Sequence, residues 1–408
     1  MRRAVWVLAG TVAVLAFLVI LAGMLVLRPL PAFSLATSRV APAQPGPPGI
    51  SWPQARQAAV AVDGVGKTWS SGGHAEIPVA SVAKMMTAYV VLRDHPLSAA
   101  AQGPSIPVTA KDAAQYKKDV KRGDSTAKVA KGHPLTERQA LEALLLPSAD
   151  NVAELLARWD AGSVASFAAK MNSTARSLGM DHTRYTDPAG LAASTVSTAL
   201  DQLTLVRTAM KVPAFASIVA MPSARIPVAG VIANYNRETG TNGIIGVKTG
   251  SDSAARGCWA FAVKRQVGGT RRVVYGVVLG APAPGTEALA DLASAAVSAG
   301  VRLADAMSRT VRTMTVLPAG TVVGTITVPW SKAPVRVVTA RALRGQVVAG
   351  THVSLSYRMR GLGAATAFSR GTTVGEYSAS GLTGTVSTPV VTAGPSGSPS
   401  AMWRLFRS

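Results

Sequence analysis

No charged residue occurs between Ala4 and Leu27, while Arg2 and Arg3 precede this run and Arg28 closes it. In hydrocarbon a chain must satisfy every backbone N–H and C=O internally, so an isolated apolar run of this length has one stable form there, the α-helix. The run is long enough to cross a bilayer and longer than the usual core of a signal peptide. The leading arginines favour a cytoplasmic N-terminus, which would make this a single-pass cell-membrane protein with everything after Arg28 outside. Small residues around Ala36 leave cleavage as the alternative, and both readings export the chain.

From Pro29 to about Trp52 the chain is rich in Pro, Ala, Ser and Gly and has no apolar period, so residues 29–52 read as a linker after the 1–28 anchor or signal. The whole chain of 408 residues is 48% hydrophobic, enough for two or three packed domains. Its 42 Lys+Arg against 20 Asp+Glu give a formal charge of +22, which suggests an anionic neighbour. Aromatics make up only 5%, and no basic run interleaved with aromatics or zinc-finger spacing occurs, which argues against nucleic acid. Membrane lipid or an anionic envelope polymer fits better. Cys258 is the single cysteine, so no intrachain disulfide is available, and its apolar surroundings suit a packed thiol.

Ala58 to Val62 followed by Asp63-Gly64 predicts a strand running into a hairpin, with the return near Lys67 to Ser70. From Met85 to Leu92 the residues are apolar nearly all round a helix, which predicts a helix in the middle of a domain. Residues 106–132 turn strongly basic and read as a solvated lobe surface. Helical periods recur at 135–146, 152–159 and 167–178. Strands are expected at 257–265 and 272–280, with a closing helix at 286–307. Strands, a helical insertion, then strands and a helix predict an α/β sandwich with a helical lobe over residues 53–308. Beyond Arg309, valines and threonines alternate with polar residues and Gly or Pro recurs at short intervals, predicting a smaller all-β domain at 309–391. Glu376 is the only acid in it. Residues 392–408 read as a flexible basic tail, whose Met402 to Arg407 could touch an anionic bilayer but is too short to hold there alone.

Three short stretches carry chemistry. Ser81-Val82-Ala83-Lys84 puts a hydroxyl and an amine one helical turn apart, where the amine can reach and activate the hydroxyl. By itself that spacing is common, and a serine at a helix start with a solvated lysine explains it. Ser148-Ala149-Asp150-Asn151 precedes a helix, and each of those polar residues is an ordinary helix cap. Lys248-Thr249-Gly250 opens a strand pair after a glycine-rich loop.

Together, in this order, the three stretches match the motifs of penicillin-recognising serine enzymes. With Leu144-Leu145-Leu146-Pro147-Ser148, Met171-Asn172, Leu178-Gly179-Met180, Asp187-Pro188 and Cys258 to Gly280, the chain from about Trp52 to Met307 resembles the D-alanyl-D-alanine carboxypeptidase family of low-molecular-mass penicillin-binding proteins. The resemblance implies a β-lactamase/transpeptidase-like fold and a cell-wall hydrolase that removes the terminal D-alanine of peptidoglycan stem peptides and is acylated by β-lactams. It assigns Ser81 as nucleophile, Lys84 as its base and Ser148 as proton relay. Asp150, Lys248, Thr249, Gly250 and Ser251 would bind substrate, with the backbone N–H groups of Ser81 and Ser251 as oxyanion hole. The chemistry needs no metal or cofactor.

Two departures stand out. The family usually has Asn where this chain has Asp150; an amide can donate to a substrate carbonyl, whereas an ionised carboxylate only accepts. Asp150 could be protonated, could pair with a lysine, or could mark altered activity. The usual residues after Lys248-Thr249-Gly250 are also replaced by Ser251-Asp252-Ser253-Ala254-Ala255-Arg256. A catalytically impaired penicillin-binding or wall-scaffolding protein is therefore the alternative. A β-lactamase is disfavoured because no Glu-x-x-Leu-Asn deacylation segment follows Ser148.

Overall fold

The computed structural model of the chain describes residues 2–360, 367–383 and 386–407. Residues 361–366 and 384–385 of the expected β domain, with both terminal residues, lie outside these. The chain divides into two units, Gly49–Val311 and a second built from Met1–Pro48 and Arg312–Ser408.

The first unit is organised around a five-stranded antiparallel sheet. Strands β2 (Gln57–Val62), β3 (Thr68–Ser71), β10 (Ile244–Asp252), β11 (Arg256–Val267) and β12 (Thr270–Ala281) lie in the order β10-β11-β12-β2-β3. Every residue of β2 is buried, as an apolar run covered on both faces requires. The period of two in β11 shows how the faces are used. Trp259 and Phe261 stack at 4.7 Å and pack against Gly300 of helix α9 (Leu289–Met307). Cys258, Ala260 and Ala262 point the other way, into the core shared with the helical lobe. The Cys258 thiol is fully buried there and its pKa is pushed up to about 12 by burial, in keeping with a packing role.

Helices α2 (Lys84–Asp94), α3 (Ala110–Arg122), α4 (Glu137–Leu145), α5 (Asp150–Ala161), α6 (Val164–Ser177), α7 (Ala199–Ala209) and α8 (Pro213–Val219) form that lobe. Between Lys84 and Leu92 only Tyr89 is not fully buried, and α2 packs against α4, α5, α6, α7 and α8. A helix surrounded on all sides is what its unbroken apolar composition demands. The basic stretch forms α3, started by a capping box between Thr109 and Asp112, and Arg158 of α5 holds Asp112 at 2.6 Å. Short pairs brace the loops: β4 (Ile77–Pro78) with β7 (Val196–Ser197), β5 (Ser105–Ile106) with β6 (Leu135–Thr136), and β8 (Ser223–Ile226) with β9 (Gly230–Ala233).

Glu137 opens α4 with its side chain buried and, among the described residues, no hydrogen-bond partner for either carboxyl oxygen. Burial pushes its pKa up from 4.5 to about 7. The folded state thus keeps a proton that the unfolded chain releases near pH 4.5, and the stability this contributes is lost as pH rises through about 7. Urea unfolding is expected to show a drop between pH 5 and pH 8, and Glu137→Gln should remove roughly 1–3 kcal/mol of it. An unchanged pH dependence in the variant would show that another group is responsible.

In the second unit, β1 (Ser34–Thr37), β14 (Val322–Thr327), β15 (Val335–Thr339), β17 (Ser354–Met359), β18 (Thr373–Ser380) and β20 (Val386–Thr392) make a six-stranded sheet in the order β1-β14-β15-β20-β18-β17. Strands β13 (Val311–Leu317), β16 (Leu343–Val348) and β19 (Leu382–Thr383) make a second sheet. Val316, Ile326, Val337, Leu343, Val347, Val374 and Val390 fill the core. Two expectations change here. The stretch 29–52 is not only linker: Ser34 to Thr37 pair with Thr327 to Gly324 as an edge strand. The tail 392–408 is not all flexible either, because Ala401–Phe406 forms helix α10, capped by Ser400. Arg404 and Arg407 donate to the Val26 and Arg28 carbonyls, and Trp403 meets Trp330 edge to face at 5.6 Å. The N-terminal run forms α1 (Arg2–Leu27), whose Ala4–Leu27 part is long and apolar enough to cross a membrane by length and composition.

Candidate active site

A 3₁₀ turn at Ala80–Ala83 feeds directly into α2, so Ser81 and Lys84 share one short, stiff segment. Ala80 sits at φ +47°, an unusual conformation for an alanine. Lys84 is fully buried, and its Nζ donates to three oxygens: Ser81 Oγ at 2.8 Å, Asp150 Oδ1 at 2.6 Å and the Ala189 carbonyl at 2.9 Å. A buried amine is costly without partners, and here all three donors of an ammonium are matched.

Ala189 lies on a loop whose geometry is set by Asp187. One Asp187 oxygen accepts the N–H groups of Ala189, Gly190 and Leu191, and the other accepts that of Ala192, all between 2.6 and 3.1 Å. Gly190, at φ +78°, lies so close that a Cβ would come within 1.9 Å of the Ala80 carbonyl oxygen. Thr87 of α2 clamps the same loop by donating to the Pro188 carbonyl at 2.6 Å. In the sequence this stretch is legible only as a turn and as part of the family likeness. Its contribution, a carbonyl that fixes Lys84, becomes visible once the loop lies against α2, although an Asp-Pro followed by Gly is the kind of signal that marks such a loop.

Ser148 and Asp150 come from the start of α5. Ser148 has φ +62°, and its Oγ is buried with no hydrogen-bond partner among the described residues. Such strain at a polar side chain is typical of functional sites. Which of the two polar residues after Ala149 faces the site is settled by the helix start. Asn151 is bound on both sides to the Ala127 backbone, its Oδ1 accepting from N–H at 3.1 Å and its Nδ2 donating to C=O at 2.9 Å. Asp150 faces Lys84. Burial pushes the Asp150 carboxyl above its usual range, against the opposing pull of the Lys84 charge.

Strand β10 supplies the remaining wall. Lys248 is buried and donates to the Thr249 carbonyl at 2.8 Å. Burial, reinforced by the Lys84 charge, holds its ammonium well below its ordinary pKa. A Cβ on Gly250 would stand 2.9 Å from the Ser81 nitrogen, so glycine lets the strand run beside the Ser81 backbone. Thr249 is buried and Ser251 half-buried further along. Among the described residues, β10 has a sheet neighbour only on its β11 side, where Lys248, Thr249, Gly250 and Ser251 face Ala260, Trp259, Cys258 and Gly257. The structure therefore joins Ser81, Lys84 and Asp150 by direct bonds and brings Gly250 against the Ser81 backbone. Lys248 couples to Lys84 through its charge. Among the described residues, no cluster of three His, Cys, Asp or Glu suited to a metal ion occurs.

The family model for D-alanyl-D-alanine carboxypeptidases matches residues 54–283, more than half of the chain. The chain is 39% identical over 160 residues to the D-alanyl-D-alanine carboxypeptidase DacB2 of Mycobacterium tuberculosis, a match covering 37% of this chain and 54% of that protein, or about half its length. It is 34% identical over 217 residues to the D-alanyl-D-alanine carboxypeptidase of Streptomyces sp. strain K15, covering 49% of this chain and 71% of that one. The crystal structure of the Streptomyces K15 DD-transpeptidase superposes with a TM-score of 0.52 at 26% identity, over 63% of this chain and 98% of that chain. With Ser81, Lys84 and Asp150 joined by direct bonds and the family match running from residue 54 to residue 283, the chain belongs to the D-alanyl-D-alanine carboxypeptidase family of penicillin-recognising serine peptidases.

Proposed function

We propose that this protein is a serine D,D-carboxypeptidase that removes the terminal D-alanine from peptidoglycan stem peptides. The observation that carries the reading is the part-buried Ser81–Lys84 contact at 2.8 Å beside an edge of β10 that no strand among the described residues pairs with. An extended peptide can add to such an edge by backbone hydrogen bonding, which would lay its last amide bond across Ser81. Lys248 and Thr249 hold the terminal carboxylate, and that anion favours the charged form of Lys248 that burial disfavours. Ser81 Oγ attacks the carbonyl between the two D-alanines while its proton passes to Lys84. The tetrahedral oxyanion takes hydrogen bonds from the Ser81 and Ser251 backbone N–H groups. Ser148, whose hydroxyl is otherwise unpartnered, relays a proton to the leaving amine, and water then hydrolyses the acyl-enzyme. A β-lactam enters the same path and stops at the acyl-enzyme.

Helix α1 holds the chain in the cell membrane as a single pass, with the serine-peptidase unit outside. The excess of 42 Lys+Arg over 20 Asp+Glu suits an anionic envelope polymer or lipid as neighbour. A second reading, an impaired penicillin-binding or wall-scaffolding protein, is favoured by the Asp150–Lys84 pair, which ties up the base.

The deciding measurement supplies the detergent-solubilised chain with a stem-peptide mimic ending in D-alanyl-D-alanine, with and without a diamino-acid acceptor. Mass spectrometry should find free D-alanine and the shortened peptide as the main products. Mainly cross-linked product would replace the carboxypeptidase assignment with transpeptidation, and no turnover with intact penicillin acylation would favour the impaired reading.

A further inference from the structure

We propose that Asp150 is a positioning residue that governs when, and in which direction, Lys84 accepts the Ser81 proton; this rests on the serine-peptidase reading above. Hydrogen-bond capacity sets the constraint. An ammonium has three donors and no acceptor, and Lys84 Nζ meets three oxygens, at Asp150, Ala189 and Ser81. In that state the Ser81 oxygen accepts from Lys84, the reverse of the direction activation needs. One proton must leave before Lys84 has a lone pair.

The three neighbours are not equivalent. The Ala189 carbonyl and an ionised Asp150 carboxylate can only accept, whereas the Ser81 hydroxyl can also donate. When one N–H bond of Lys84 breaks and its proton passes to buffer, the two remaining N–H groups stay on Asp150 and Ala189. The lone pair then has one hydroxyl hydrogen to receive, that of Ser81. Asp150 thereby does two things. Its charge retains the proton that must leave, and its oxygen aims the lone pair once that proton has gone.

Charged groups on the neighbouring segments act on the pair. Lys248 of β10 is buried and turned onto the Thr249 carbonyl, and its charge acts against that of Lys84. Asp124, on the segment after α3, repels Asp150, while the neighbouring Ser125 carbonyl takes the Asp150 N–H at 2.8 Å. Asp187 spends its own carboxylate on backbone N–H groups and so fixes the Ala189 carbonyl. The usual asparagine would supply the aiming oxygen without the charge. Asp150 therefore adds a proton requirement that an asparagine at this position would not.

The test is the pH profile of penicillin acylation, measured as the second-order rate constant for the full-length chain in detergent between about pH 4.5 and pH 9.5. Wild-type acylation should rise with pH. In Asp150→Asn the midpoint should fall by at least one unit, so that near the acid end the variant acylates at least tenfold faster than wild type. Asp150→Ala loses the aiming oxygen as well and should acylate at least tenfold more slowly than Asp150→Asn at every pH. An Asp150→Asn profile with the wild-type midpoint overturns the proton-retaining part, and equal rates for the Asn and Ala variants overturn the aiming part. Failure of the wild-type chain to acylate Ser81 at any pH would sink the serine-peptidase reading itself, and this proposal with it.

Discussion

Ser81→Ala is expected to abolish the covalent mass increase that the wild-type chain acquires from a penicillin. The expectation is all-or-none because the acyl group is carried on one oxygen, and no neighbouring group replaces it. Ser148 Oγ is buried, and its backbone at φ +62° ties it to the start of α5 instead of the Lys84 contact. The buried Cys258 thiol, with its pKa pushed up to about 12, supplies almost no thiolate at neutral pH. Alanine at position 81 removes one of the three acceptors of Lys84 and leaves those at Asp150 and Ala189, so the variant should fold, with a melting point moderately below wild type. A variant that still gains the mass would place the nucleophile elsewhere and remove the basis for the mechanism. A wild-type chain that gains it and loses it within minutes would point instead to efficient deacylation, as in a β-lactamase.

Lys84→Met should produce the second-largest loss, a fall in the acylation rate constant of about 10²–10⁴. Methionine fills similar space in the centre of the lobe but cannot take the Ser81 proton. The same change strands Asp150, which is 4% exposed and loses the cation held 2.6 Å away. Removing one partner of a buried pair costs about 3–5 kcal/mol. The sign of its pH dependence comes from the direction of the Asp150 shift. Burial already raises that carboxyl above 3.8, and without Lys84 the largest opposing influence is gone, leaving that of Lys248. The stability of the protonated form is present below the unfolded value and lost as pH rises, so the variant should melt near wild type at acid pH and well below it at pH 8. Lys84→Met combined with Asp150→Leu should recover much of the lost stability at pH 8 and none of the acylation. Equal destabilisation at both pH values would show that packing, and not the stranded carboxylate, is responsible.

Different parts of the molecule were legible in the sequence to different degrees. The buried strand Gln57–Val62 and the all-round apolar helix after Lys84 could be read because each depends on a periodicity contained within a dozen residues. The Ser81–Lys84 contact was equally local, since one helical turn fixes the distance between residues three apart. The edge strand Ser34–Thr37 was not legible, because its partners lie almost three hundred positions away and its own composition resembles a linker. Helix α10 went unseen for a similar reason: six residues are too few to hold a helix alone, and its stabilising bonds run to the Val26 and Arg28 carbonyls.

By itself, then, the sequence determined the apolar first helix, the layered α/β order, the change to an all-β unit, and the three motif stretches that identify the family. Only tertiary structure decided what Asp150 and Asn151 do. At a helix start, adjacent polar residues have equal local claims to the cap and point in different directions, about 100° apart around the axis. The choice fell to their long-range partners, the Ala127 backbone for Asn151 and the buried Lys84 amine for Asp150. The carbonyl of Ala189 is the third such decision. A loop a hundred residues away completes the coordination of Lys84, because a buried amine has to find three acceptors and its own helix, whose carbonyls bond to one another's N–H groups, cannot supply them.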